Sequence, residues 1–459
     1  MTSMWTRREF LTTTSAAVVA AALQARDEDL WSTAADILRR IKDPVFPARD
    51  VHVTAHGAKG DGATDSTAAI RAAVDACFRA GGGRVVVPAG RFTTGAIRLR
   101  SNVNLHLLEG ATLAFRPEAE LYLPLVLTRF EGMELMNYSP FIYALDETNV
   151  GITGRGTLDG QANAQQWWSW RAGQGPARTS LHQMVADGVA PEKRVFGDGP
   201  SKLRVNFIQP YRCQNVIIEG VKIVNSPMWE VNPVLCTNVT IRGLDINSHG
   251  PNNDGADPES CRDVLIERCT FDTGDDCIAL KSGRNNDGRR IGRPIENVVI
   301  RDCVMKDGHG GVTIGSEISG GARNIFAERC RMDSPELDRA LRFKNNAARG
   351  GLIERVAMRD VTVGQVAEAV VAADFYYEEG RNGQFTPILR DVDVRNVTSK
   401  KSKHAFLLRG FAEAPISNIR VTDCTFDGVE QPDRLEGVKD LVLKNVRVNG
   451  ELRQGTFSG

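Results

Sequence analysis

Four short segments carry residue types suited to acid–base chemistry: Asn252-Asn253-Asp254-Gly255, Gly274-Asp275-Asp276, Gly308-His309-Gly310 and Arg342-Phe343-Lys344. Each alone is weak. An Asp pair is common in turns, a His between glycines serves a turn about as often as chemistry, and Arg-x-Lys is ordinarily a solvated strand edge. Their spacing changes the reading. Asp254 and Asp275 are 21 positions apart, Asp276 and His309 are 33, and His309 and Arg342 are 33 again. In a chain that winds in coils of that length, all four segments stack on one face, within a patch about 15–20 Å long. Carboxylates so close cannot all ionise freely, so at least one pKa should rise. A raised carboxylic acid beside ionised ones is what glycosidic cleavage needs: an acid for the leaving oxygen and a base for water. Neighbours on a regular strand point to opposite sides, so the chain must bend for Asp275 and Asp276 to share a cleft, and Gly274 permits that.

The elements that would position these residues are written in a repeat. An Asn/Asp-Val-x-Ile unit begins at Asn215, Asn238, Asp263 and Asn297, with later copies at Asn324, Asp391, Asn418 and Asp440. Self-similarity at this period means a solenoid. The unit is a short β-branched strand bounded by Asn, Asp and Gly, and the Leu-x-x-Leu-x-Leu frame of a leucine-rich array is missing. The expected fold is all-β: a single-stranded, right-handed parallel β-helix with an N-terminal capping helix. That helix is read over Ala68–Ala80, started by Thr64 or Ser66 and stopped by Gly81-Gly82-Gly83. The nine Cys form no C-x-x-C pair. They read as small buried ladder residues rather than as disulfides or zinc ligands.

Thr6-Arg7-Arg8-Glu9-Phe10-Leu11, followed by an apolar stretch to Leu23, reads as a twin-arginine export signal over residues 1–25. The expectation is a chain exported to the periplasm or medium, with no membrane span. Residues 26–47 read as a short helix and linker, 48–450 as the β-helix and 451–459 as a tail. Residues 160–206, with Trp167, Trp168 and Trp170, break the repeat and read as an insertion walling the cleft. Acidic and basic residues balance at 57 each. That excludes the basic excess of a nucleic-acid binder but leaves room for a basic cleft.

The four segments together resemble the signature of glycoside hydrolase family 28, the polygalacturonases and their relatives: Asn-Thr-Asp, Gly-Asp-Asp, Gly-His-Gly and Arg-x-Lys in that order. Asn253 stands where the family has Thr, and Asn232 stands where a His is common. Gly57-Ala58-Lys59-Gly60-Asp61-Gly62 and Ser226-Pro227-Met228-Trp229 add to the resemblance. The resemblance implies cleavage of α-1,4-galacturonosyl linkages in polygalacturonate or its oligomers, with no cofactor and no metal. It makes Asp275 the general acid. Asp254 and Asp276 hold the water, His309 orients the acid, and Arg342 and Lys344 grip a substrate carboxylate. Inversion would require acid and base about 6.5–9.5 Å apart. Asn252, Lys281, Arg284 and Tyr377 are further substrate-binding candidates. The run Arg284, Arg289, Arg290, Arg293 is expected to form a basic loop that guides a polyanion. Rhamnogalacturonan hydrolysis, calcium-dependent pectate lysis and non-catalytic carbohydrate binding are the competing readings.

Overall fold

A computed structural model describes residues 30–459. The export signal expected over residues 1–25 lies outside them. Nearly every strand pairs in parallel with the strand one coil on, and three ladders run the length of the molecule. In the first, Val216, Val239, Val264, Val298, Ile325, Val356, Val392 and Ile419 are successive register partners, and all are buried. The repeat's Val and Ile are therefore the two inward positions of one strand, stacked coil upon coil. This is a parallel β-helix, as the repeat predicts.

The Asn or Asp that opens each unit has a separate cause. Asn215, Asn238, Asp263, Asn297, Asn324, Asp391, Asn418 and Asp440 all hold left-handed backbone, with φ between 53° and 59°. Asn and Asp tolerate that corner better than other residues with a Cβ. Their side chains then pair between coils: Asn238 Nδ2 donates to Asn215 Oδ1 at 2.8 Å, Asn297 to Asp263 at 3.0 Å and Asn324 to Asn297 at 2.9 Å. The nine Cys are all buried and unbridged. Cys213, Cys236 and Cys261 stack at one corner, where Sγ of Cys236 and of Cys261 each accept the amide N–H of the preceding cysteine in the stack.

The helix Thr67–Arg79 covers the N-terminal end, burying Ile70, Ala73, Val74 and Cys77 over the first coil. Its start is held by Asp65, whose Oδ1 accepts from the Thr67 amide at 2.9 Å, rather than by the expected Thr64 or Ser66. A second helix, 30–40, lies along the side of the solenoid. Its Leu30, Ala34 and Ile37, with Ile41 beyond its end, form one stripe on Leu265, Val299, Phe326 and Ala357. The segment 451–459 is not a loose tail: Glu451–Phe457 is a strand antiparallel to Val438–Val448 and closes the C-terminal edge.

Two departures from the repeat matter for the site. Val126–Phe130 and Met133–Asn137 form an antiparallel hairpin that no sequence signal flagged. The 160–206 insertion folds onto it with helix Gly175–Ala186, whose Leu181 and Val185 join Phe130, Met133, Phe196 and Trp229 in a satellite core. Trp167 is buried against Tyr122, Phe141 and Trp170, so it is a core residue of the insertion rather than a sugar platform. The stretch expected to be a basic loop contains the helix Asn285–Ile291. Buried Asp287 pins it: its carboxylate takes two bonds from the equally buried Arg194, the shorter at 2.6 Å.

Candidate active site

The third ladder carries the chemistry. Isolated bridges link Val231, Ala256 and Ile278 along successive coils, and strands Ile278–Leu280, Val312–Ile314 and Arg339–Lys344 continue it. Asp254, Asp275–Asp276, His309 and Arg342–Lys344 lie on or just before these rungs, so the coil-phase argument brings them together. One carboxylate oxygen from each of Asp254, Asp275 and Asp276 lies within 4.8 Å of the other two. Asp276 follows a bend at Gly274, where a Cβ would sit 2.6 Å from the Gly250 carbonyl oxygen.

The three carboxylates differ sharply. The Asp276 side chain is fully buried. Its Oδ1 accepts from Thr313 Oγ1 at 3.0 Å and Arg342 Nη1 at 3.1 Å, and its Oδ2 from Lys344 Nζ at 2.5 Å. Burial alone would raise its pKa, but Lys344, Arg342 and Lys281 outweigh that and hold it well below the usual range. The Asp254 side chain is 4% exposed. Its Oδ1 has no partner among the described residues, and Lys281 Nζ stands 3.7 Å from its Oδ2. Burial, then the charges of Asp257 and Asp275, push this carboxyl well above the ordinary value. Asp275 is the exposed member, at 18%, and its Oδ1 meets His309 Nδ1 at 2.9 Å. That contact, more than any other effect, raises the His309 pKa.

These positions are fastened by neighbours. Asn253 fixes the turn before Asp254: its Oδ1 accepts from Ser248 Oγ at 2.6 Å and the Gly250 amide at 2.8 Å, while its Nδ2 donates to the Ser226 and Met228 carbonyls. Asn252 has φ 57° and accepts from buried Arg204. Lys281 is buried, 4.4 Å from the centre of the Trp229 ring, with Glu317 at 3.2 Å and Asp257 at 3.4 Å. Tyr377 lies beside Arg342 and Lys344, 5.7 and 5.4 Å from its ring centre. The pocket in front of the trio is walled by Glu131, Arg178, Arg284, Glu317 and Glu378.

The family profile of Glycosyl hydrolases family 28 matches residues 77–444. The chain belongs to that family. This family 28 hydrolase is similar to the hyperthermoactive exopolygalacturonase of Thermotoga maritima, with 42% identity over 93% of this chain and 98% of that one, and a TM-score of 0.89. It is 28% identical to an exo-poly-alpha-D-galacturonosidase of Dickeya chrysanthemi, over 88% of this chain and 72% of the relative. It is 27% identical to an endo-polygalacturonase of Pectobacterium carotovorum subsp. carotovorum, over 79% of this chain and 86% of the relative. The neighbours are right-handed β-helices, so the expected handedness stands.

Two sequence expectations change within this frame. Arg284 is not a solvated loop charge. It is buried among Glu131, Glu317, Glu378 and Glu379, whose charges outweigh its desolvation. The basic run is partly neutralised from within: Arg290 pairs with Glu134 and Asp287, whereas Arg289 keeps its charge and donates to the Ala348 and Arg349 carbonyls. The nearest oxygens of the three carboxyls lie within 4.8 Å of one another, as Asp275 and Asp276 are chain neighbours and Asp254 is one coil away. Tyr376, the chain neighbour of Tyr377, packs on Phe411 and Arg409. Asn232, in place of the common His, is buried and bonds Asn206, Gln209 and the Asp257 carbonyl. The trio has the spacing of a cation site, as do His249, Asp272 and Asp307. At the trio, Lys281, Arg342 and Lys344 already supply the positive charge.

Glu317, Asp257, Arg178 and Glu131 escaped the sequence reading. Glu317 could have been found, since its neighbour Ile318 bridges Gly283 one coil earlier, next to Lys281. Glu131 and Arg178 lie outside the repeat, where phase carries no information.

Proposed function

We propose that this family 28 hydrolase removes terminal galacturonosyl residues from α-1,4-linked polygalacturonate and its oligomers by single displacement at the Asp254–Asp275–Asp276 trio. The observation that carries the reading is the division of labour within the trio. Asp275 is the exposed carboxyl and serves as general acid, donating its proton to the leaving glycosidic oxygen, with His309 orienting it. Asp276, held ionised by Lys344 and Arg342, acts with Asp254 to fix a water and take its proton as the oxygen attacks the anomeric carbon. Direct attack by Asp276 would require it to give up bonds to three side chains, which favours water as the nucleophile. End-wise action is supported by the hairpin and the 160–206 insertion, which bring Glu131 and Arg178 into the pocket lining beside the carboxylates. We also infer export by the twin-arginine route from Arg7-Arg8, so a double Lys replacement should leave the protein in the cytoplasm.

The test is reducing-end release from polygalacturonate, with EDTA present, alongside viscosity and ultraviolet absorbance. The expected result is steady release of monomer, slow loss of viscosity, no new absorbance and no effect of EDTA. Asp275→Asn should lower kcat by about 10²–10⁴-fold. Nuclear magnetic resonance of the first product should show the inverted anomer; retention would make one of the trio a nucleophile. Absorbance that EDTA abolishes would make the enzyme a lyase, and release from rhamnogalacturonan alone would change the substrate.

A further inference from the structure

We propose that Arg178 recognises the carboxylate of the terminal sugar in the pocket it lines, through a two-point contact from its two Nη groups. This rests on the galacturonide reading above and names the residue that makes the pocket select an acid sugar.

The cations around the pocket differ in what they have left to give. Lys281 faces Asp254, Asp257 and Glu317. Arg284 faces four glutamates. Lys344 Nζ sits on Asp276 at 2.5 Å. For any of these to take a substrate carboxylate, a buried protein carboxylate would have to lose its partner, which is strongly unfavourable. Their side chains are only 2–7% exposed, whereas that of Arg178 is 35% exposed.

Arg178 is also aimed. Its Nε donates to Glu131 Oε2 at 2.7 Å. Neither Nη has a partner among the described residues, so the outer edge of the fork is open. A planar guanidinium in that state matches a carboxylate with two parallel bonds. The helix sets the direction: Arg178, Leu181 and Val185 fall on one stripe, and burying the two apolar residues against Phe130 and Met133 turns the arginine toward the pocket. Glu131, its anchor, stands at the hairpin turn with φ 46° and also meets Arg284 Nη1 at 3.3 Å. His182, one turn further on, does not compete as a cation: burial, then Arg284 and Arg178, pull its pKa down to about 3. Arg342 is likewise engaged, bonded to Asp276 and to the His309 carbonyl.

The test compares trigalacturonate as the free acid with trigalacturonate methyl-esterified only on the terminal residue that the wild type removes. Wild type should prefer the free acid by about 100-fold in kcat/KM, the scale of a charge-assisted pair of bonds. Arg178→Gln should bring that ratio to within about threefold of unity, mainly through KM for the free acid, with turnover of the ester retained. Arg178→Lys, which keeps the charge but not the fork, should give an intermediate ratio and serves if the Gln variant does not fold. A wild-type ratio that persists in a folded variant overturns the role of Arg178 while leaving the galacturonide reading in place. A wild type that cleaves neither trimer overturns both.

Discussion

At the residue scale, Asp254 and Lys281 set the pH behaviour. As part of the base, Asp254 must be ionised, and its carboxyl is raised above the ordinary value by burial and by Asp257 and Asp275. Activity is therefore present above that raised pKa and lost as pH falls through it, so the acid limb of kcat/KM should lie above the ordinary Asp range near pH 4. Lys281 opposes the rise by stabilising the carboxylate. Lys281→Met should move the acid limb to higher pH; a limb that moves down or stays put would show that another group sets it. The three aspartates, His309 and the Arg-x-Lys pair were legible in the sequence because coil spacing is a geometric statement. What could not be read was which cation serves which carboxylate. Lys344 and Arg342, expected on the substrate, sit on Asp276, a choice settled by side-chain packing within one rung.

At the element scale, the wall of the pocket depends on a joint between three pieces far apart in sequence. Arg194 of the insertion, Asp287 of the helix Asn285–Ile291 and the amide of Glu134 in the hairpin meet at one buried carboxylate. Removing one partner leaves an unpaired buried charge, which costs about 3–5 kcal/mol. Asp287→Ala should lower the thermal midpoint and raise KM for short oligomers, because Arg284 and Arg178 lose the frame that aims them. An unchanged KM in a folded variant would mean that the wall stands without the joint. Neither the hairpin nor this joint was visible in the sequence. The hairpin has no Asn-Gly or Asp-Gly turn and falls between repeat units, and its turn residue Glu131 adopts left-handed backbone that its type does not advertise.

At the scale of the whole molecule, the repeat and its Asn/Asp corners were enough to read the β-helix, since each coil repeats one solution to the same packing problem. The ends were less legible: the helix 30–40 proved to be a side brace, and 451–459 proved to include a strand. The stacked core makes a further prediction. All nine thiols are buried; burial raises those of Cys277 and Cys424, while contact with Cys269 raises that of Cys303 and contact with Cys303 that of Cys330, with burial adding to both, which suppresses the reactive thiolate. A thiol reagent should therefore modify essentially none of them in the native protein and all nine in guanidinium; rapid native labelling would contradict the packing.

The inward pairing of the basic run bears on how a polyanion would arrive. A protein with balanced charge, whose Arg284 and Arg290 are paired with its own carboxylates, projects little positive potential into solution. Few counterions would then be released when polymer binds, and long-range attraction would speed encounter only slightly. Raising sodium chloride from 50 to 500 mM should change kcat/KM on polygalacturonate by no more than the loss of about one or two exposed contacts. This enzyme would find chain ends by diffusion and fit, and would tolerate brine that disables a catalyst relying on attraction at a distance.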